Sequence, residues 1–160
     1  EICSYVENKL DMARMFPRES RLFANEILQG APRMLKILSG PLKELADQIK
    51  GAQAPEIAVM RGWLANWGAP ETAADDHSDH SMGTGMMTED DMAALSATTG
   101  PNFDRLWLQM MISHHQGAVT MAKDVLSTTT DPEVKTLAQA IIDAQTKEIA
   151  SMEVLQANGE

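Results

Sequence analysis

Five residues within twelve positions, Met110, Met111, His114, His115 and Met121, combine two kinds of donor atom that transition metals bind. Residues four apart on a helix share a face, so Met110 lies over His114 and Met111 over His115, with Met121 two turns beyond His114. Thioether sulfur is a soft donor that favours Cu(I), and imidazole binds copper in either oxidation state, whereas neither Mg nor Ca selects this set. Copper is the ion these donors choose. Methionines at helical spacing are also what a packed core looks like, and spacing alone leaves both readings open.

A second cluster, His77, His80, Met82, Met86 and Met87, lies in the stretch from Gly68 to Met87, which is small, acidic and free of Lys and Arg. A flexible His/Met tract can wrap a metal ion without a preformed cage. A solvated tether of accidental composition is the competing reading. Metal capture is favoured because all four histidines of the chain fall in these two Met-bearing clusters. Glu148 and Met152, one turn apart, could face the His114 site across a bundle, and Glu56 and Met60 repeat that pair earlier in the chain. A surface carboxylate beside a core methionine accounts for either pair taken alone.

The elements that must position these residues read as helices. Apolar residues recur at helical spacing from Ser4 to Phe16, ended by Pro17, and a second helix is expected from about Glu19 to Leu38, interrupted at Gly30-Ala31-Pro32. Ser39-Gly40-Pro41 is a stop and restart, leading to a helix with Leu42, Leu45, Ile49, Ile57, Met60 and Leu64 on its buried stripe and a bend near Pro55. Thr88 followed by acids caps a short helix to about Ala97. A long helix from Pro101 to about Leu126 carries Phe103, Leu106, Trp107, Met110, Met111, His114, Ala118, Met121, Ala122 and Val125. Asp131-Pro132-Glu133 starts the last helix, which runs to about Ala157.

A weak internal repeat runs through this pattern. Leu45-Ala46, Ile49, Ala52-Gln53, Glu56-Ile57 and Met60 recur 92 residues later as Leu137-Ala138, Ile141, Ala144-Gln145, Glu148-Ile149 and Met152. The simplest all-α architecture that uses it is a four-helix bundle of two helical hairpins. Residues 1–67 form the first hairpin, 68–87 the acidic His/Met-rich linker, and 88–160 the second hairpin.

With 13 Lys and Arg against 23 Asp and Glu, the net charge of -10 argues against nucleic-acid binding, which needs clustered cations, and makes cations the natural partners. The single cysteine, Cys3, excludes an internal disulfide. No apolar stretch approaches the roughly 20 residues that span a bilayer. No enzyme is expected. No Glu stands three residues before a histidine, as a di-iron bundle requires. No Ser/His/Asp order or phosphate loop is present, and Cys3 is far from any histidine.

The stretch from Phe103 to Val119, FDRLWLQMMISHHQGAV, resembles the signature of the DUF305 family, as do Asp-Pro-Glu-Val-Lys at Asp131 and Ala-Gln-x-x-Glu-Ile at Ala144. The likeness reaches back to about Leu45. It implies a ferritin-like helical bundle, exported from bacteria, in a family with members implicated in copper binding and tolerance. Carried over by position, it assigns His114, His115, Met110, Met111 and Met121 to the family's His-His helix and Glu148 and Met152 to its last helix. The first half departs from the family, because no histidine precedes His77. Instead, Tyr5 to about Leu45, especially Ser20-Arg21-Leu22-Phe23 and Leu28-Gln29-Gly30-Ala31-Pro32, resembles the effector domain of TetR-type regulators of pyrimidine utilisation. The chain reads as a join of two families near residues 39 to 50. The regulator resemblance includes no helix-turn-helix, so no DNA-binding role is expected.

Together these readings lead to an extracytoplasmic copper-binding protein that buffers, delivers or confers tolerance to the metal. The alternative is a structural or accessory subunit docked on a larger, membrane-associated assembly, and homo-oligomerisation is left open.

Overall fold

A computed structural model describes residues 40–66, 68 and 89–158. The two expected helices before Ser39, the regulator-like segment, the Thr88 cap and the linker ligands His77, His80, Met82, Met86 and Met87 lie outside the described residues. Within them the chain is all helical: α1 (Gly40–Asn66), α2 (Glu89–Ser96), α3 (Pro101–Thr128) and α4 (Pro132–Asn158).

The helix starts follow from local chemistry. Gly100 takes φ +60°, a backbone state that costs glycine little, and turns the chain into Pro101, whose missing N–H is no loss in a first turn. Asp131 Oδ1 accepts the amides of Glu133 at 2.8 Å and Val134 at 3.2 Å, so the last helix is capped as its sequence predicts. Pro55 lies inside α1, which continues through it. Pro55 and Gly51 are both exposed, so the Gly51 carbonyl deprived of its amide donor faces water.

α3 and α4, joined by the short connection 129–131, form the main antiparallel pair, and α1 packs on α4. Apolar side chains gather in two separate clusters. One unites Leu42, Leu45, Ala46 and Ile49 of α1 with Leu95 of α2, Phe103, Trp107, Leu108 and Met111 of α3 and Met152 of α4. The other unites Met60 of α1, Ala122 and Val125 of α3, and Val134, Ala138 and Ile141 of α4. The two memberships fix direction: α1 and α3 run the same way and α4 runs against both.

Three sequence expectations shift. Ile57 is half-buried rather than core, and α3 extends to Thr128. On α3, Leu106, Met110, His114 and Met121 are half-buried, while His115, absent from the predicted apolar stripe, is completely buried. The face that meets α4 runs through Met111, His115, Ala118 and Ala122, so the helix is turned by about one residue from the expected orientation. No helix among the described residues is long and apolar enough to cross a membrane.

Candidate metal centre

Between the two apolar clusters lies a polar layer, built from the same spacing on three helices. Ile49, Gln53, Glu56 and Met60 on α1, Met111, His115, Ala118 and Ala122 on α3, and Ile141, Gln145, Glu148 and Met152 on α4 each occupy positions i, i+4, i+7 and i+11. Such positions form one stripe about 16 Å long. The ends of each stripe are apolar and enter the two clusters, while the middle of α1 and α4 is Gln then Glu and the middle of α3 starts with His. Gln53 is 8% exposed, Gln145 2% and His115 0%. Burial agrees across the 92-residue repeat as well: Ala46 with Ala138, Ile49 with Ile141, Gln53 with Gln145 and Met60 with Met152 are all buried, and Glu56 and Glu148 are both intermediate.

His115 is held at both ring nitrogens. Nδ1 lies 2.9 Å from the Met111 carbonyl oxygen and Nε2 lies 3.0 Å from Glu148 Oε2. A carbonyl only accepts, so Nδ1 carries a proton and donates it to Met111. Nε2 and the Glu148 carboxylate then share the remaining proton, as an imidazolium-carboxylate pair or as a neutral imidazole accepting from a carboxylic acid. This is the arrangement by which a ligating histidine has one nitrogen fixed by a backbone carbonyl and the other aimed at the site. Glu148 therefore meets His115, one residue on from the His114 contact that spacing suggested. Met111 reaches His115 through its backbone carbonyl.

Glu56 adds a second carboxyl to the layer. Its pKa is pushed up from 4.5 to about 7, first by burial and then by the opposing charge of Glu148. Gln145 Oε1 is buried without a hydrogen-bond partner among the described residues. The layer is thus rich in acceptors and in opposed negative charge, and a cation or additional donors would relieve both.

The two adjacent histidines have different surroundings. Their rings sit edge to face, with centroids 6.0 Å apart and planes 76° apart. His115 faces the layer, with Met111 and Met152 sharing one apolar cluster at its edge. His114 is half-buried on the neighbouring face, along with Met110 and Met121, which border opposite clusters. Among the described residues no three His, Cys, Asp or Glu side chains converge as a ready ligand set. A metal held at His115 and Glu148 would need further donors beyond this pair. Sequence reading missed Gln145 and the buried role of Gln53, and the recurrence of Gln at the same place in both repeats was the signal available.

A separate cavity of about 340 Å³ opens at the end of the bundle between Pro41, Pro101 and Leu155. Among the described residues its lining contains no His, Met or Cys, and it lies away from the polar layer.

Residues 37–156 match the model of the family described as Domain of unknown function (DUF305), and residues 1–70 match that of the YcdC-like protein, C-terminal region. The second match agrees with 38% identity over 63 residues to the HTH-type transcriptional regulator RutR of Escherichia coli K12, covering 39% of this chain. The chain spans about a quarter, 26%, of that regulator's length. The chain thus carries segments similar to two families. Among solved structures, a DUF305 fragment from Deinococcus radiodurans superposes with a TM-score of 0.76 at 27% identity, covering 94% of this chain and 95% of that one. A DUF305 protein of Streptomyces coelicolor thought to be secreted gives 0.76 at 26% identity, covering 98% and 93%. CopM in its Cu(II)-bound form gives 0.66 at 31% identity, covering 96% and 90%.

Proposed function

Because the chain belongs to the DUF305 family, we propose that it is a non-enzymatic copper-binding protein that buffers or delivers the metal outside the cytoplasm. The observation that carries this reading is the fully buried His115, fixed between the Met111 carbonyl and Glu148, next to an apolar cluster that includes Met111 and Met152. Burying an imidazole, two carboxyls and two amides between apolar clusters costs stability that aliphatic side chains of similar size would not, unless the polar groups serve a ligand. Thioether and imidazole donors together suit copper. CopM, similar in fold and in about a third of its residues, is known in a copper-bound form, and the Streptomyces relative supports an extracytoplasmic location.

On this reading His114 and His115 supply imidazole, Met110, Met111, Met121 and Met152 supply thioether, and Glu148 supplies a carboxylate. His77, His80, Met82, Met86 and Met87 of the acidic linker add a second capture segment by composition. The helical hairpins serve as the scaffold and no catalytic step is assigned. Purified wild type and the His114→Ala plus His115→Ala variant, each loaded with copper and desalted, should differ in bound metal by elemental analysis. Equal stoichiometry in the two would remove the α3 ligands from the proposal and leave the docking-subunit reading in its place.

A further inference from the structure

A methionine in an apolar cluster keeps a chemistry that leucine or isoleucine lacks, because thioether sulfur is open to oxidation. Six methionines lie among the described residues, and burial divides them into two groups of three. Met60 is 4% exposed, Met111 5% and Met152 0%, whereas Met92, Met110 and Met121 are half-buried. The half-buried three are not scattered. Met92 and Met110 pack on the apolar cluster that holds Met111 and Met152, and Met121 packs on the cluster that holds Met60. Met110 and Met121 are eleven residues apart on α3, which places them about 16 Å apart along the axis and about 20° apart in direction, on one face of the helix. Each apolar cluster therefore has a protected methionine inside it and a partly exposed one at its edge, and a single helix face supplies an edge methionine to both.

We propose that Met110 and Met121 are modification sites for small hydroperoxides, and that sulfoxide formation there loosens both apolar clusters from their edges while Met60, Met111 and Met152 stay reduced. The thioether sulfur gives an electron pair to the terminal oxygen of the hydroperoxide. An S–O bond forms as the O–O bond breaks, sulfur is oxidised by two electrons, and the proton of the transferred hydroxyl goes to the departing oxygen, which leaves as water when the oxidant is hydrogen peroxide. The product is a polar, chiral side chain whose oxygen seeks hydrogen bonds that an apolar cluster does not offer, so it turns toward water and gives up its packing. His115 and the polar layer lie between Met110 and Met121 in height, so one modified helix face acts on the core from both sides of the layer. Met92, on α2, bears on the first cluster alone. Methionine sulfoxide reductases A and B, one for each epimer, restore the thioether with a thiol reductant, which makes the change reversible. Leucine at either position would fill nearly the same space without this chemistry.

The test exposes the whole chain to graded hydrogen peroxide, with a chelator in every sample so that bound metal has no part in the outcome. Peptide mass spectrometry follows the gain of one oxygen at each methionine, in the folded chain and in the chain unfolded by urea. Met110 and Met121 should convert several-fold faster than Met60, Met111 and Met152 in the folded chain, and the difference should vanish in urea. Buried and edge methionines that convert together in the folded chain, or the same order of conversion in urea, overturns the assignment of sites. The consequence for the core is read from urea unfolding midpoints by circular dichroism, in wild type and in the Met110→Leu plus Met121→Leu variant, before oxidation, after it and after treatment with both reductases. The wild-type midpoint should fall on oxidation and recover on reduction, while the variant's midpoint should move much less, because the remaining methionines are common to both proteins. An equal fall in the two proteins, or no fall in wild type, overturns the effect on the clusters. The order of conversion is measured on wild type alone, so it decides the sites whatever the stability of the variant.

Discussion

Replacing Glu56 by glutamine keeps the shape of the side chain and removes its charge, so it isolates the electrostatic penalty stored in the polar layer. The Glu56 carboxyl is held at about 7 instead of 4.5. Below the lower value it is protonated in both folded and unfolded chains and contributes no penalty. Between the two values the unfolded chain has released its proton while the native chain still holds one, so native stability falls as the pH rises, and the full loss is present above about 7. At about 1.4 kcal/mol per pH unit of displacement the ceiling is about 3 kcal/mol. Glu56 is only half-buried, and solvent screening brings the expected effect down to roughly 1–2 kcal/mol. Urea titrations with a chelator present, at about pH 8 and about pH 4.5, should give Glu56→Gln a higher midpoint at the first and the same midpoint at the second, with unchanged slope. A gain of equal size at both pH values would refute the reasoning, because it would come from packing and not from charge. So would no gain at either.

Three further measurements probe the frame that holds the layer. Asp131→Ala, which removes the acceptor for the Glu133 and Val134 amides, should lower unfolding free energy by about 1 kcal/mol in a denaturant titration. Gly100→Ala should lower it by roughly 1–3 kcal/mol through backbone strain alone, since φ +60° with ψ -143° is a region that side-chain-bearing residues rarely enter and a Cβ there meets nothing within 4 Å; an unchanged midpoint would refute this. Ile141→Ala, at a side chain with 0% exposure in the second apolar cluster, should cost about 2–5 kcal/mol by the same titration.

Helix starts and the overall helical class were legible because they depend on local chemistry: Pro101 after a glycine, and Asp131 before Pro132. The repeat was legible for a different reason, since equal positions in two helices packed on similar neighbours demand equal side chains, and Gln53 with Gln145 and Met60 with Met152 are indeed buried in pairs. Which of two adjacent histidines turns inward was not legible. Successive residues on a helix differ by about 100° in direction, and the apolar pattern of α3 is broad enough to accommodate either choice. Only the position of α4, set by contacts far away in sequence, decides for His115. Gln145 escaped notice because a neutral amide carries no motif, and its importance arises from an unmet hydrogen bond that exists only after the helices are packed.

Three stripes that change from apolar to polar and back at matching heights also limit how the helices can slide along one another. Moving α4 by one helical turn, about 5.4 Å, would carry Glu148 off His115 into an apolar neighbourhood and set Met152 or Ile141 against polar groups. Uniform apolar stripes would incur no such mismatch, and a ladder of similar rungs tolerates several alignments. The layer therefore acts as an alignment mark: the polar rungs give the helix pair one axial setting and make the neighbouring settings unfavourable.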